Sequence, residues 1–285
     1  MTKRSTSNDY PRIYLFGDSL TERACYEGDN GFAWKLEQYY DGRVDVVNEG
    51  YSGQTTKTLR RTFEREIVNT ITDRGPPAPL FITIFLGAND ACLLSSGPYV
   101  PLPEFEEHIR HYVNSILDHP GAQNTKIILI TPPPVDVPSS EMDSADDLPE
   151  VAEVMQSIAK LSRGYKTWAS KRLFAEKIVE IGREFERQTD RVAVLDFWTA
   201  VTKAKCNELG FTDEEFHELD TRDMLPGSGL PGAKMFGKEF LIDGLHFGSR
   251  GYDILTRELF GLFLAKWPEL ERENFPLRDS LDSYC

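Results

Sequence analysis

The sequence predicts an α/β fold with a five-stranded parallel sheet that is covered by helices on both faces. Two observations support this fold class. Five short apolar segments recur along the 285 residues, and segments with helical spacing of apolar residues lie between them. One segment, residues 80–86, is almost continuously apolar, which is typical of a central strand in a parallel sheet. Strands that alternate with helices in this way favour parallel pairing.

The five strands are predicted where short apolar segments end at punctuating residues. The first segment stops at Gly17, and the fourth stops at three consecutive prolines. The predicted strands are residues 12–16, 44–48, 80–86, 126–131 and 192–195. Helices are predicted where apolar residues recur three or four positions apart. The predicted helices are residues 31–40, 55–70, 103–117, 173–187 and 251–267.

Two segments are longer than simple connections between a strand and a helix. Residues 132–168 begin proline-rich, become acidic and turn helical near Pro149, whereas residues 205–240 are polar and rich in glycine and proline. Long segments of this kind commonly form the walls of a site. Because the chain shows no internal repeat and no linker, residues 1–285 are predicted to form one domain, with a core over residues 12–267 and polar extensions at both ends.

Composition and charge argue against several classes of function. The net charge is −14, and an acidic surface repels nucleic acid and anionic membranes. Residues 1–12 are polar and the apolar segments are short, so the sequence predicts neither a signal peptide nor membrane insertion. The four cysteines form no close pairs, which argues against a metal site and favours a reducing, cytoplasmic location.

Ser19 is the candidate nucleophile. It follows the first predicted strand in the string Gly17-Asp18-Ser19-Leu20, and ligands of open α/β sheets bind beyond the carboxyl ends of the strands. A serine that begins a helical turn is also a common capping residue, so this string alone leaves that structural role open.

Two further segments could stabilise an oxyanion together with the Ser19 N–H. Asn89 follows the third strand and carries an amide donor, although an Asn-Asp pair also forms turns and caps, and we expect Asp90 to have that structural role. Gly53 follows the second strand and could present its backbone N–H to a substrate. Gly50 competes for this role, but Gly53 is preferred because a predicted helix begins directly after it.

Asp243 and His246 supply a base and a carboxylate that orients it. They lie three residues apart, just before the last predicted helix, so the carboxylate can bind one ring nitrogen and leave the other to accept a proton. Three other histidines are expected on the solvated face of the third helix, and a fourth lies in an acidic polar segment. These are His108, His111, His119 and His217. Only His246 has a neighbouring acid in an apolar context, so it is the candidate base for Ser19.

Other catalytic motifs are missing from the sequence. It has no Gly-x-Ser-x-Gly nucleophile elbow, no Gly-x-Gly-x-x-Gly after the first strand and no Walker loop. Nucleotide chemistry and metal chemistry are therefore not predicted.

Together these strings resemble the SGNH hydrolases, also called the GDSL esterase/lipase family. The matching strings, in the order of the family's blocks, are Gly17-Asp18-Ser19-Leu20, Gly53, Gly87-x-Asn89-Asp90 and Asp243-x-x-His246. Within that family, the extended strings at residues 84–92, 100–105 and 243–247 are similar to the branch of isoamyl acetate-hydrolysing esterases.

The resemblance implies a three-layer α/β/α fold of the flavodoxin-like type and a serine esterase that acts on small acyl esters, acetate esters first. It implies catalytic Ser19, Asp243 and His246, an oxyanion hole of Ser19, Gly53 and Asn89, no cofactor and no metal. A carbohydrate O-acetylesterase, a thioesterase and a catalytically silent module that binds an ester or a sugar are alternatives. The sequence leaves open the physiological ester, a homodimer and the role of the two long segments.

Overall fold

The structure is a computed structural model that describes residues 10–75, 77–93, 98–138 and 149–277. Its strands are β1 (Arg12–Gly17), β2 (Asp45–Gly50), β3 (Phe81–Phe85), β4 (Lys126–Ile130) and β5 (Val192–Leu195). They form one sheet in the order β2-β1-β3-β4-β5, and every neighbouring pair is parallel. The predicted five-stranded parallel sheet is therefore confirmed.

Helices connect the strands and close the described part of the chain. The α-helices are α1 (Ser19–Glu22), α2 (Phe32–Tyr40), α3 (Thr56–Phe63), α4 (Asn69–Arg74), α5 (Leu102–Leu117), α6 (Pro149–Ala159), α7 (Arg163–Glu186), α8 (Phe197–Glu208), α9 (Asp213–Thr221) and α10 (Ser249–Lys266). A π-helical turn, Glu64–Val68, joins α3 to α4. Of the described helices, none combines the length and the apolar character that a bilayer span requires.

Three helices differ from the sequence prediction. α7 begins at Arg163, where Ser162 caps it, and not at residue 173. The buried face of its first half carries polar side chains, among them Thr167 and Lys171, which hide the apolar periodicity. α8 and α9 lie where no helix was predicted. α9 has no fully buried side chain, and only Phe216 and Leu219 pack, partly buried, on the cluster around Trp168. An apolar pair of this length is too short for a sequence pattern to show.

Alternating residues of the strands place two hydrophobic cores on opposite faces of the sheet. Ile13 and Leu15 of β1 pack with residues of α2, α8 and α10, whereas Tyr14 and Phe16 pack with residues of α3, α5 and α7. Complete burial of a side chain of this size stabilises the fold by roughly 1.5–3 kcal/mol. The expected helical layer on each face of the sheet is thus present.

The strand order creates a crevice at the carboxyl ends of β1 and β3. After β1 the chain crosses to β2 on one side, and after β2 it crosses back to β3 on the other side of β1. Open α/β sheets bind ligands at such a topological switch point. Gly17 at the end of β1 is in register with Gly50 of β2 and Phe85 of β3, so the segments that follow these three strands are neighbours.

Candidate active site

Ser19 lies at the start of α1, immediately after β1. The Asp18 carboxylate caps this helix by accepting the Leu20 N–H at 3.0 Å. Carbonyl oxygens of α1 accept hydrogen bonds from the Asn48 amide of β2 and the Tyr252 hydroxyl of α10, at 2.8 and 3.0 Å. These contacts fix the turn that carries Ser19, which is only 6% exposed.

A chain of hydrogen bonds connects Ser19 to Asp243 through His246. The Ser19 Oγ lies 2.9 Å from His246 Nε2, and His246 Nδ1 lies 2.7 Å from Asp243 Oδ2. An ionised Asp243 favours the tautomer with its hydrogen on Nδ1, which leaves Nε2 to accept the Ser19 hydroxyl proton. The structure thus brings together the three residues that the sequence singled out as nucleophile, base and orienting carboxylate.

Hydrogen bonds also set the charge of Asp243. Its Oδ1 accepts the backbone N–H groups of Leu245 and His246 at 3.1 and 2.9 Å. Burial raises the pKa of the Asp243 carboxyl, but these bonds and the one from the imidazole ring outweigh burial and hold that pKa below its ordinary value. The carboxyl is therefore ionised at neutral pH and can stabilise a protonated imidazole.

The loop that carries Asp243 and His246 is held by the segment that follows β4. The Asp136 N–H donates to the Gly244 carbonyl at 2.8 Å, and the Asp136 carboxylate accepts two backbone N–H groups earlier in the same loop. Gly244 has a φ of +87°, and a Cβ at this position would lie 3.0 Å from the Asp136 carbonyl oxygen. Both the backbone conformation and the close approach therefore favour glycine here.

Asn89 and Gly53 lie in adjacent segments at the carboxyl end of the sheet. The Asn89 amide donates to the Gln54 carbonyl at 2.9 Å, which uses one of its two amide hydrogens and leaves the other for a ligand. Gly53 is exposed and has a φ of +73°. The Gly50 N–H, in contrast, donates to Asn48 Oδ1 at 2.9 Å. Because this bond uses the N–H of Gly50, Gly53 is the better candidate to donate a hydrogen bond to a substrate.

Two residues near Asn89 have structural contacts. Asp90 is fully buried, and its Oδ1 accepts the Thr56 N–H and hydroxyl at 3.0 and 2.5 Å, at the start of α3. This agrees with the capping role expected for Asp90. The Thr56 hydroxyl also lies 3.0 Å from His108 Nδ1. The expectation that His108 is solvated was therefore wrong, because α5 packs this side chain against α3.

Lys171 of α7 lies beside the site, although no pattern in the sequence indicated it. Its ammonium donates to the Ala88 carbonyl at 2.7 Å, and burial lowers its pKa to about 8. Burial raises the pKa of Asp18 to about 7 and that of Asp90 to about 6, while the charge of Lys171 opposes both shifts. Because Lys171 and Ala88 are 83 positions apart, no local spacing pattern could have signalled the contact.

The described part of the chain groups no three His, Cys, Asp or Glu side chains in a way that could hold a metal ion. Cys25, Cys92 and Cys206 are free thiols in it. The resemblance to the SGNH hydrolases implies that the protein uses no metal and no cofactor, and this stays a prediction.

Known proteins match most of this chain. Residues 15–254 match the GDSL-like Lipase/Acylhydrolase family. A GDSL esterase/lipase of Arabidopsis thaliana is 40% identical over 128 residues, which span 44% of this chain and only 51% of that protein. An isoamyl acetate-hydrolyzing esterase 1 homolog of Rattus norvegicus is 28% identical over 268 residues, which span 93% of this chain and 83% of the relative.

The fold is shared with a solved structure. The crystal structure of the lipase/acylhydrolase from Enterococcus faecalis has a TM-score of 0.53 at 20% identity, and the match covers 95% of this chain and 100% of that one. At this level of identity the likeness concerns the fold alone. The family match, however, extends from before Ser19 to beyond His246, and on that ground this chain belongs to the GDSL-like lipase/acylhydrolase family of hydrolases.

Proposed function

We propose that the protein is a serine esterase in which Ser19 is the nucleophile, His246 the general base and Asp243 the carboxylate that orients the base. One observation carries the proposal. The contacts from Asp243 to His246 and from His246 to Ser19, 2.7 and 2.9 Å long, lie at the switch point of the sheet in a member of an acylhydrolase family. A hydroxyl, an imidazole and a carboxylate in series are the groups that transfer acyl groups through a serine ester.

The first half of the reaction forms an acyl-enzyme. The Ser19 Oγ attacks the carbonyl carbon of the ester while His246 Nε2 takes the hydroxyl proton. The tetrahedral oxyanion then collapses as the imidazolium returns that proton to the alcohol oxygen, whose bond to the carbonyl carbon breaks. The alcohol leaves, and the acyl group remains as an ester on Ser19.

The second half repeats these steps with water. His246 Nε2 takes a proton from water, and the water oxygen attacks the carbonyl carbon of the acyl-enzyme. Collapse breaks the bond to Ser19 Oγ, which regains its proton from the imidazolium, and the carboxylic acid leaves. Asp243 stays ionised throughout and stabilises the imidazolium in both halves.

The oxyanion is held by the Ser19 N–H, the Gly53 N–H and the second hydrogen of the Asn89 amide. In support of this assignment, the Asn89 amide contacts the residue after Gly53. The strand register also keeps the ends of β1, β2 and β3 side by side. A donor of this kind contributes about 10²–10³-fold to kcat in acyl transfer, because it acts mainly in the transition state.

The substrates we infer are esters of short acids, acetate first, with small apolar alcohols. The similarity to the isoamyl acetate-hydrolyzing esterase 1 homolog of Rattus norvegicus supports acetate esters. The net charge of −14 disfavours binding to anionic lipid surfaces. The segment after β4 could form one wall of the acyl pocket, since Pro132 lies 3.0 Å from where a Cβ of Gly87 would stand. Residues 139–148 of the long segment predicted as a wall lie outside the described residues. The cytoplasmic location stays a prediction.

A series of p-nitrophenyl esters tests the proposal. The kcat/KM should be highest at about two to six acyl carbons, because each methylene that fits contributes about 0.8 kcal/mol and one that meets a wall costs at least as much. Ser19→Ala should show no hydrolysis above background on any ester while keeping the melting temperature of the wild type. A serine-directed organophosphonate should label the wild type once, at Ser19.

The other outcomes point to specific alternatives. A maximum at about ten or more acyl carbons, or activation by micelles, would favour a lipase. A strong preference for acetylated sugars or for acyl-thioesters would favour the carbohydrate O-acetylesterase or the thioesterase. A wild type that hydrolyses none of these esters would be a binding module. Turnover that persists in Ser19→Ala would disprove the assignment of the nucleophile.

A further inference from the structure

Lys171 is an unusual residue for its surroundings. It lies on the face of α7 that packs on the sheet, and it is only 1% exposed. Lysines are almost never fully buried unless they are paired, because their ammonium is strongly hydrated. Here the ammonium donates to the carbonyl of Ala88 at 2.7 Å. Ala88 shares this peptide unit with Asn89, so the bond fixes the peptide plane from which the Asn89 side chain extends.

Two buried carboxylates accompany this ammonium. Asp18 and Asp90 are both at most 1% exposed, and both interact electrostatically with Lys171. Each has one oxygen, Oδ2, that has no hydrogen-bond partner among the described residues. Asp18 directly precedes Ser19, and Asp90 directly follows Asn89. Lys171 and these two carboxyl groups therefore adjoin both segments that are proposed to hold the oxyanion.

We propose that Lys171 is a positioning residue for the oxyanion hole, which fixes the Asn89 segment through the hydrogen bond of its ammonium to the Ala88 carbonyl. This inference rests on the proposed function. Without the ammonium, the Ala88 carbonyl would lose a buried hydrogen-bond donor, and the peptide that carries Asn89 would lose the contact that fixes its plane. Among the described residues, the Lys171 ammonium donates to the Ala88 carbonyl and not to Ser19 or His246, so it acts through the oxyanion donors and not on the substrate.

Lys266 offers a matched control within the same chain. Its ammonium, on α10, donates to the Val192 carbonyl at 2.7 Å, at the start of β5. Val192 lies at the opposite end of its strand from the carboxyl ends that form the crevice. Lys266→Met thus removes the same kind of bond, ammonium to backbone carbonyl, away from the site.

The test is the kcat of Lys171→Met and Lys266→Met on p-nitrophenyl acetate. Lys171→Met should lower kcat about 10–100-fold, because a misplaced donor loses part of its stabilisation of the transition state, with KM changed less than about twofold. Lys266→Met should keep the kcat of the wild type even if its melting temperature falls. An unchanged kcat in folded Lys171→Met would overturn the proposal.

A double-mutant cycle with Asn89→Ala separates positioning from a general structural role. If Lys171 acts by placing the Asn89 amide, Lys171→Met should cost much less in kcat when Asn89 is already alanine. Equal losses in the two backgrounds would overturn the proposal, because a general loss of structure is independent of that amide. Ser19→Ala distinguishes the two claims. Activity that survives in it refutes the proposed function, whereas an inactive Ser19→Ala together with a fully active Lys171→Met refutes this inference alone.

Removal of Lys171 could leave too much unpaired charge for the chain to fold. In that case Lys171→Met is made in the Asp90→Asn background. The amide introduced at position 90 keeps an oxygen acceptor for Thr56, and the substitution leaves one buried carboxyl group where there were two. Relative to Asp90→Asn alone, Lys171→Met should again lower kcat about 10–100-fold. An equal kcat in the two proteins would count against the proposal.

Discussion

The two halves of the candidate site are held in different ways. Ser19 follows a strand that is hydrogen-bonded to neighbours on both sides, and it is almost fully buried. Asp243 and His246 lie on a loop between α9 and α10, and the Asp243 side chain is 50% exposed. The sheet therefore fixes the nucleophile, whereas the loop contacts around Asp136 fix the base and its carboxylate.

Because the two halves are held differently, substitutions in them should affect kcat and melting temperature to different extents. Leu241 and Phe247 anchor this loop in one of the two hydrophobic cores, whereas the Asp243 side chain is half-exposed and the His246 side chain is 18% exposed. Replacing either of these two side chains therefore removes little from the core. Changes at Asp243 and His246 should therefore reduce kcat without a proportional loss of melting temperature. Changes beneath Ser19, where side chains are buried, should affect stability as well.

The largest effect is expected from His246→Ala. Removal of the base should lower kcat by about 10⁴–10⁶-fold. Asp243→Asn should lower it by a smaller factor, about 10²–10⁴-fold, because the imidazole remains but loses its orienting charge. Both variants should melt close to the wild type. Initial rates on p-nitrophenyl acetate and thermal unfolding curves measure the two quantities.

His217→Ala is the matched control for this comparison. His217 is exposed on α9 and lies outside the contact chain that ends at Ser19, so its replacement should leave kcat unchanged. If His246→Ala kept the kcat/KM of the wild type, another group would have to act as the base. A large drop in melting temperature for either loop variant would contradict the separation of activity from stability.

Two glycine substitutions should have an intermediate effect on kcat. They compare the loop that carries Asp243 and His246 with the oxyanion segment at Gly53. Gly244 and Gly53 both have positive φ, +87° and +73°, a conformation that costs alanine about 1–2 kcal/mol. A Cβ at Gly244 would also meet the Asp136 carbonyl oxygen at 3.0 Å, whereas a Cβ at Gly53 meets no described atom within 4 Å. Gly244→Ala should displace the loop and lower kcat about 10–100-fold.

Gly53→Ala should lower kcat by about tenfold or less, because strain alone acts there. Steady-state kinetics on one acetate ester measure both variants, and their melting curves report whether the strain spreads. A larger loss of kcat in Gly53→Ala than in Gly244→Ala would mean that the base-carrying loop adapts more easily than its contacts indicate.

Local sequence patterns predicted the residues that follow strands. Ser19 and Asn89 could be placed at the carboxyl edge of the sheet because each follows an apolar segment that is short enough to be a strand. Asp243 and His246 could be paired because a spacing of three residues allows one side-chain hydrogen bond. In the structure that bond is 2.7 Å long. The parallel sheet followed from the same alternation of short strands and amphipathic helices.

Contacts between distant segments could not be predicted in this way. Lys171 reaches Ala88, and Asp136 holds the loop around Gly244, only because the tertiary fold brings them together. His108 was expected in solvent because a polar residue on an amphipathic helix usually faces water. The face of α5 that packs on α3 depends on the whole arrangement and not on the helix alone.

The last effect concerns stability and not activity: it is expected in the pH dependence of unfolding on the nucleophile side. Burial raises the pKa of Asp18 from its ordinary value of 3.8 to about 7. Between these values the folded protein keeps a proton that the unfolded chain releases. The contribution of Asp18 to the stability of the wild type should therefore fall as the pH rises through this window.

Asp18→Asn has no such proton, so its stability relative to the wild type should rise from about pH 4 to about pH 7 and then level off. Urea unfolding at several pH values measures this difference. Asp243→Asn is the comparison from the other half of the site. The pKa of Asp243 is lowered, so this carboxylate stabilises the wild type above its ordinary pKa. Replacing it should change relative stability in the opposite direction and only slightly, since solvent screens a half-exposed side chain. A stability difference for Asp18→Asn that stays constant or falls with rising pH would show that this carboxyl is ionised in the folded protein, and that its partners on the buried side offset the cost of burial.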